Sequence, residues 1–281
     1  MGEFFCNLLW KYGGQSGIIE FTYFSESCDE MEHTLRNRFL FFGPTLGLGL
    51  LSFYLHRTMM QTCIDGKGLL IDGNLPGRLL WLVGIGYALY LALMVRTIGG
   101  DGSYEDNFPP CILSGGLLIA GGVLMVTAVR AMELVPVWQY WLGLGAGGAM
   151  VIAGALRIFG KRPPFVLHGA VCVYFICVLI RNYQLWSADP QLHDYAYQLL
   201  AGVMLMLAAF QRTCCDALIL QRRKLIVTGL AAAFFCLAAL GDGNMPRFYL
   251  AAGLWAAGCV CNVAQFPADP TSEEEEAEPT A

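Results

Sequence analysis

The sequence predicts an all-α, polytopic transmembrane bundle of about eight helices. Three observations lead there: charge is scarce, apolar residues come in uninterrupted blocks, and each block is near the length of a bilayer crossing. Of 281 residues, 56% are hydrophobic and only 14% charged, where soluble domains carry roughly 25% charged residues. Mean hydropathy is +0.54. This composition excludes an ordinary soluble enzyme, a disordered chain and a small disulfide scaffold.

Asp, Glu, Lys and Arg are missing from segments 39–55, 79–95, 111–129, 134–156, 165–180, 195–211, 225–240 and 248–264. A hydrocarbon core needs ~20 helical residues to cross, and flanking Tyr, Trp and Arg extend the shorter segments into the interface. Helices are required because a lone lipid-facing strand leaves its backbone groups unsatisfied. A barrel would show alternating ten-residue strands, and these runs are continuous.

The spans divide the chain into three parts: 1–37, 38–265 and 266–281. Residues 1–37 read as a cytoplasmic segment, since acids such as Glu3 and Glu20 stand where a signal peptide needs a basic start and an apolar core. Within it Phe4, Phe5, Leu8, Leu9 and Tyr12 have the spacing of a short interfacial helix. Ser27 and Glu30 have capping-box spacing for a second one. The end, 266–281, reads as a disordered cytoplasmic tail. Pro267 and Pro270 stop the last helix, and five glutamates follow between Glu273 and Glu278. That tail accounts for the net charge of −5, because without its six acids the body carries 16 acids against 17 bases. No basic field suits nucleic acid.

Orientation follows from the basic residues. With a cytoplasmic N-terminus, only Arg57, Lys67, Arg78, Arg130, Arg181 and Arg247 of the 17 Lys and Arg fall outside. The positive-inside rule therefore places both termini in the cytoplasm. Pro76, Pro136, Pro190 and Pro246 each open or precede an even-numbered span, and Arg96, Arg157 and Arg212 each close one. The pattern suggests four helical-hairpin repeats of about 56 residues, although the orientation rule alone also explains those arginines.

Gly43 and Gly47, Gly143 and Gly147, and Gly116 and Ala120 sit four apart on single helix faces. Such faces let helices approach closely in lipid, within one chain or between copies. The expected partners are the bilayer, together with another membrane protein or a second copy meeting these faces. Inside apolar blocks, Cys172, Cys177, Cys236, Cys259 and Cys261 read as small hydrophobes.

Only His168 among ionisable residues lies inside a block, close to its start. Ion-coupled transporters need titrating groups at depth, so the sequence directs attention to the outer loops instead. Arg130 and Glu133, three apart, can pair in one loop. The next outer loop supplies Arg181, Asp189, His193 and Asp194, with Asp189-Pro190 suited to cap and open a helix. Together these six residues could contact a polar headgroup or small solute. Anchoring and capping account for the same residues. No catalytic set, metal-ligand spacing or cofactor motif is recognised, the four histidines being scattered.

Residues 186–210, from Trp186-Ser187-Ala188-Asp189-Pro190 to Met204-Leu205-Met206-Leu207, resemble a segment of multi-pass membrane proteins of clostridia-type Firmicutes. The resemblance implies a bacterial plasma membrane and carries over no catalytic residues. Two function classes stay open. The lack of charge at depth favours a non-catalytic component, meaning a sensor, assembly partner or scaffold. The alternative is a small-solute or lipid transporter with its site near the outer loops.

Overall fold

A computed structural model describes residues 42–63, 74–98, 104–132, 136–186, 195–261 and 263. The expectations for 1–37 and for 266–281 lie outside the described residues.

Eight long helices stand among the described residues, one over each apolar block. They are α1 (42–62), α2 (Leu75–Thr97), α4 (Ile112–Ala131), α5 (Val137–Ile158), α6 (Phe165–Trp186), α7 (Ala196–Asp216), α8 (Arg222–Ala239) and α9 (Pro246–Val260). A single turn, α3 (Tyr104–Asn107), precedes α4, and a 3-10 turn, Leu240–Asp242, follows α8. On length and composition α2 and α4 to α8 can each cross a membrane. The chain is a multi-pass helical membrane protein.

Helices α4 to α9 form a closed ring, each packed on the next, with α9 returning to α4. The two outer helices lean on α8, which is why 67% of its apolar window is buried against 17% for α2. Helix α1 turns one narrow stripe inward, Thr45, Gly49, Ser52, His56 and Met59, spaced three and four apart. Gly49 meets Leu237 of α8, and Thr45 Oγ1 lies 3.0 Å from Tyr87 Oη of α2. Helix α2 starts cleanly because the Asn74 side chain accepts from Gly77 N at 2.7 Å and Pro76 occupies the first turn.

Glycine sets the closest seams. A Cβ on Gly122 would come within 2.7 Å of Gly147 O, and one on Gly115 within 2.7 Å of Gly154 O. Helices α4 and α5 therefore touch backbone to backbone, the contact that replaces a hydrophobic drive in lipid. Gly121 approaches Ala251 O of α9 in the same way, and Ser114 Oγ donates to Gly258 O at 2.7 Å to close the ring. On α4 the contacts within the chain fall to Gly115, Gly121 and Gly122, while Gly116 and Ala120 point outward from the ring. Gly143 and Gly147 pack as expected, while Gly47 meets nothing within 4 Å.

Trp255 of α9 is fully buried in this packing, meeting the Phe175 ring of α6 at 5.4 Å and the His168 ring at 6.2 Å.

Candidate functional site

Two polar clusters lie at opposite ends of the bundle. At the end assigned inward, Arg212 and Asp216 stand four apart on the last turns of α7, so their side chains share a face. Arg212 Nη2 is 3.0 Å from Asp216 Oδ1, and His168 Nδ1, in the first turn of α6, is 2.6 Å from Oδ2. Since a carboxylate only accepts, Nδ1 carries the proton in that bond. Tyr104 Oη of α3 donates to Oδ1 at 3.1 Å. Burial pushes the Tyr104 phenol above its usual range, with the Arg212 charge pulling the other way.

Arg157, at the end of α5, grips the segment before α4. Its Nη1 donates to Phe108 O at 2.7 Å and its Nη2 to Pro109 O at 3.0 Å. Residues 108 and 109 lie between α3 and α4, where no helix pairs their carbonyls, and the Arg157 side chain supplies the donors. The Phe108 ring also faces both guanidinium groups, at 4.1 Å from Arg212 and 5.3 Å from Arg157.

Arg157, His168, Arg212 and Asp216 are each at most 2% exposed. Buried charges of this kind add little net stability when paired, but breaking the pair is costly. Asp216 is also at a helix C-terminus, where the dipole disfavours an anion. Its three donors hold it there. The cluster joins α5, α6, α7 and the 104–109 segment at this end of the bundle.

At the end assigned outward, a cleft of about 490 Å³ opens between the end of α4, the end of α6 and the start of α9. Arg181 and Arg247 line it with Met132, Asn244 and Phe248. Beneath Phe248 a second cavity, of about 10 Å³, is lined by Asn182 and Gln198. Gln198 Nε2 donates to Asp242 Oδ2 on the 3-10 turn. His56 of α1, fully buried, places Nδ1 2.8 Å from Ala238 O and packs against Gly241.

Of the six residues read from the outer loops, the structure places two. Arg181 lines the cleft, whereas Arg130 is exposed at the end of α4. Glu133, Asp189, His193 and Asp194 lie outside the described residues. The inner cluster escapes sequence reasoning, which treats Arg157 and Arg212 as interfacial residues closing their spans. One signal is present: Asp216, four positions after Arg212, is an acid at an inner helix end, where the orientation rule gives no reason for one. No family model, curated protein or solved structure matches the chain.

Proposed function

We infer that the protein is a non-catalytic component of a bacterial plasma membrane, a sensor, assembly partner or scaffold with both termini in the cytoplasm. The packed interior supports this reading. Trp255 and Phe175 are buried within the ring, and the charged cluster of Arg212, Asp216 and His168 stands at one end of it. A body packed through backbone-close glycine seams is suited to hold shape rather than to pass a solute. Gly145 and Gly148 of α5 meet nothing within 4 Å. Flanked by the exposed Trp141 and Ile152, they offer a face to a second membrane helix.

Purification in a mild detergent tests the reading. One membrane partner, or a second copy, should stay bound in fixed stoichiometry and be lost on Gly145→Leu. A monomer that retains no partner would remove the main support. Orientation is tested by alkaline phosphatase fusions, which should be active after residues 65 or 188 and inactive after 104 or 270.

The outer cleft favours a second reading, a transporter for a small anionic solute or lipid, because two arginines from different helices face one opening. Uptake of an organic anion into proteoliposomes, abolished by Arg247→Ala, would establish it.

A further inference from the structure

The cleft at the end assigned outward gathers positive charge from two helices. Arg181, half-buried in the last two turns of α6, and Arg247, exposed in the first turn of α9, both line it. Among its described lining residues there is no Asp or Glu. Arg247 is also oddly placed for a helix. The first turn carries the positive end of the dipole, which acids complement and cations do not, and α9 has no acid there. An anion in the cleft would meet both the guanidinium and that helix end favourably. The chain turns sharply on its way in, with Gly243 and Met245 at φ of 75° and 52° on either side of Asn244. For Met245, which has a β-carbon, that left-handed conformation is strained, and strain of this kind gathers at ligand sites.

The space and its lining narrow the ligand. A volume of about 490 Å³ is that of a small-molecule site. A carboxylate carries a single charge, and one arginine in a bidentate grip satisfies it. A phosphate monoester offers more acceptor oxygens and close to two negative charges at neutral pH. That matches two guanidinium groups reaching one opening from different helices. The geometry points to a binding site for a phosphate monoester in this cleft, with Arg181 and Arg247 on its oxygens and the Asn244 amide as a further donor. Met132 and Phe248 supply apolar lining beside the charges, which suits a ligand whose phosphate is joined to a less polar remainder. The inference rests on the cleft of the second reading above and names its ligand, but it requires binding only and not transport.

The test is the melting temperature of the purified full chain in detergent, since a ligand that binds only the folded state raises it in a saturable way. Each monoester is compared with a singly charged diester: dioleoyl phosphatidic acid with dioleoyl phosphatidylglycerol, and glycerol 3-phosphate with dimethyl phosphate. At least one monoester should give a saturable rise, at a half-saturating concentration about tenfold below that of its diester. A rise with the lipid alone assigns the apolar lining to acyl chains, and a rise with glycerol 3-phosphate alone assigns a soluble ligand. Arg247→Gln should raise the half-saturating concentration about tenfold, the loss of one charge-assisted pair, and Arg247→Lys should fall between. Arg130→Ala removes a charge at the same end but outside the lining, and it should respond as the wild type. Transport is read separately, by uptake of glycerol 3-phosphate into proteoliposomes. Binding without uptake removes the transporter and leaves this site standing. No saturable rise with either monoester overturns the proposal, as does an equal response to monoester and diester or an Arg247→Gln protein that responds like the wild type.

Discussion

Asp216 and Asp242 are carboxylates at opposite ends of the same ring, and their surroundings differ in kind. Asp216 receives an arginine, a histidine and a tyrosine from three separate elements. Asp242 receives one amide. The first spends its lone pairs on internal partners, and its work is to hold α5, α6, α7 and the 104–109 segment in one arrangement. The second has one described bond, from an amide that lines a small cavity. Burial differs as well, Asp216 being 1% exposed and Asp242 half-buried, and the donor inventory around each acid follows it.

The sharpest way to break the comparison is to remove each carboxylate in turn. Asp216→Ala leaves two guanidinium groups and an imidazole buried without their anion, a change that costs about 3–5 kcal/mol. Asp242→Ala removes an acid with a single described bond, and its cost should stay near the ~1 kcal/mol of one ordinary hydrogen bond. Reversible unfolding in mixed micelles measures both. Equal losses would show that the outer cluster ties the fold together as firmly as the inner one.

A second contrast lies along α5. Gly147→Leu drives a side chain into the Gly122 carbonyl of α4, where the backbone has no room to give. Overpacking of this sort costs typically about 1–3 kcal/mol. Gly145→Leu, one residue pair away on the open side, should unfold at the wild-type midpoint and affect only association. The same unfolding assay, combined with size measurement in detergent, separates the two.

Arg157→Lys probes how the inner end is tied. A lysine keeps the charge but cannot span the Phe108 and Pro109 carbonyls together, nor lie flat on the Phe108 ring. The expected loss is about 1–2 kcal/mol, the sum of a weakened carbonyl grip and a lost ring contact. Protease should then cut faster near residues 104–109 while the helices stay protected. Unchanged cleavage would mean that Tyr104 and Asp216 hold the segment without Arg157.

The helices are legible because solvent chemistry writes them directly. A bilayer tolerates no charge over about twenty residues, so block edges fall within a few residues of helix ends, as at 112, 165 and 196. The inner cluster is not legible in the same way. An arginine that snorkels to the interface and one that turns inward occupy the same position at the end of an apolar block. Only the third dimension tells which neighbour it meets. Gly115 and Gly116 make the same point: adjacent glycines serve a seam and a lipid face, and the choice depends on where α5 lies. Of the outer-loop residues, Arg181 can be placed because a helix carries it to the cleft. Asn182, beside it in sequence, escapes notice because a single polar residue near a span end has no distinguishing pattern.

The smallest effect is expected at Arg130, and it sharpens the contrast with the buried arginines. Arg130 lies exposed in the last turn of α4, a helix whose Ala128 and Ala131 line the cleft wall while its own side chain does not. A cation there favours the helix dipole weakly, and salt screens the effect. Arg130→Ala should therefore leave the melting temperature within the scatter of repeat preparations, at both low and moderate salt. Arg181→Ala, half-buried on the cleft wall, should lower it measurably. If Arg130→Ala instead falls as far as Gly147→Leu, its guanidinium has a partner that matters to the fold. The pairing with Glu133 read from their spacing would then be the first to examine, by testing whether Glu133→Gln gives the same loss and the double substitution no more.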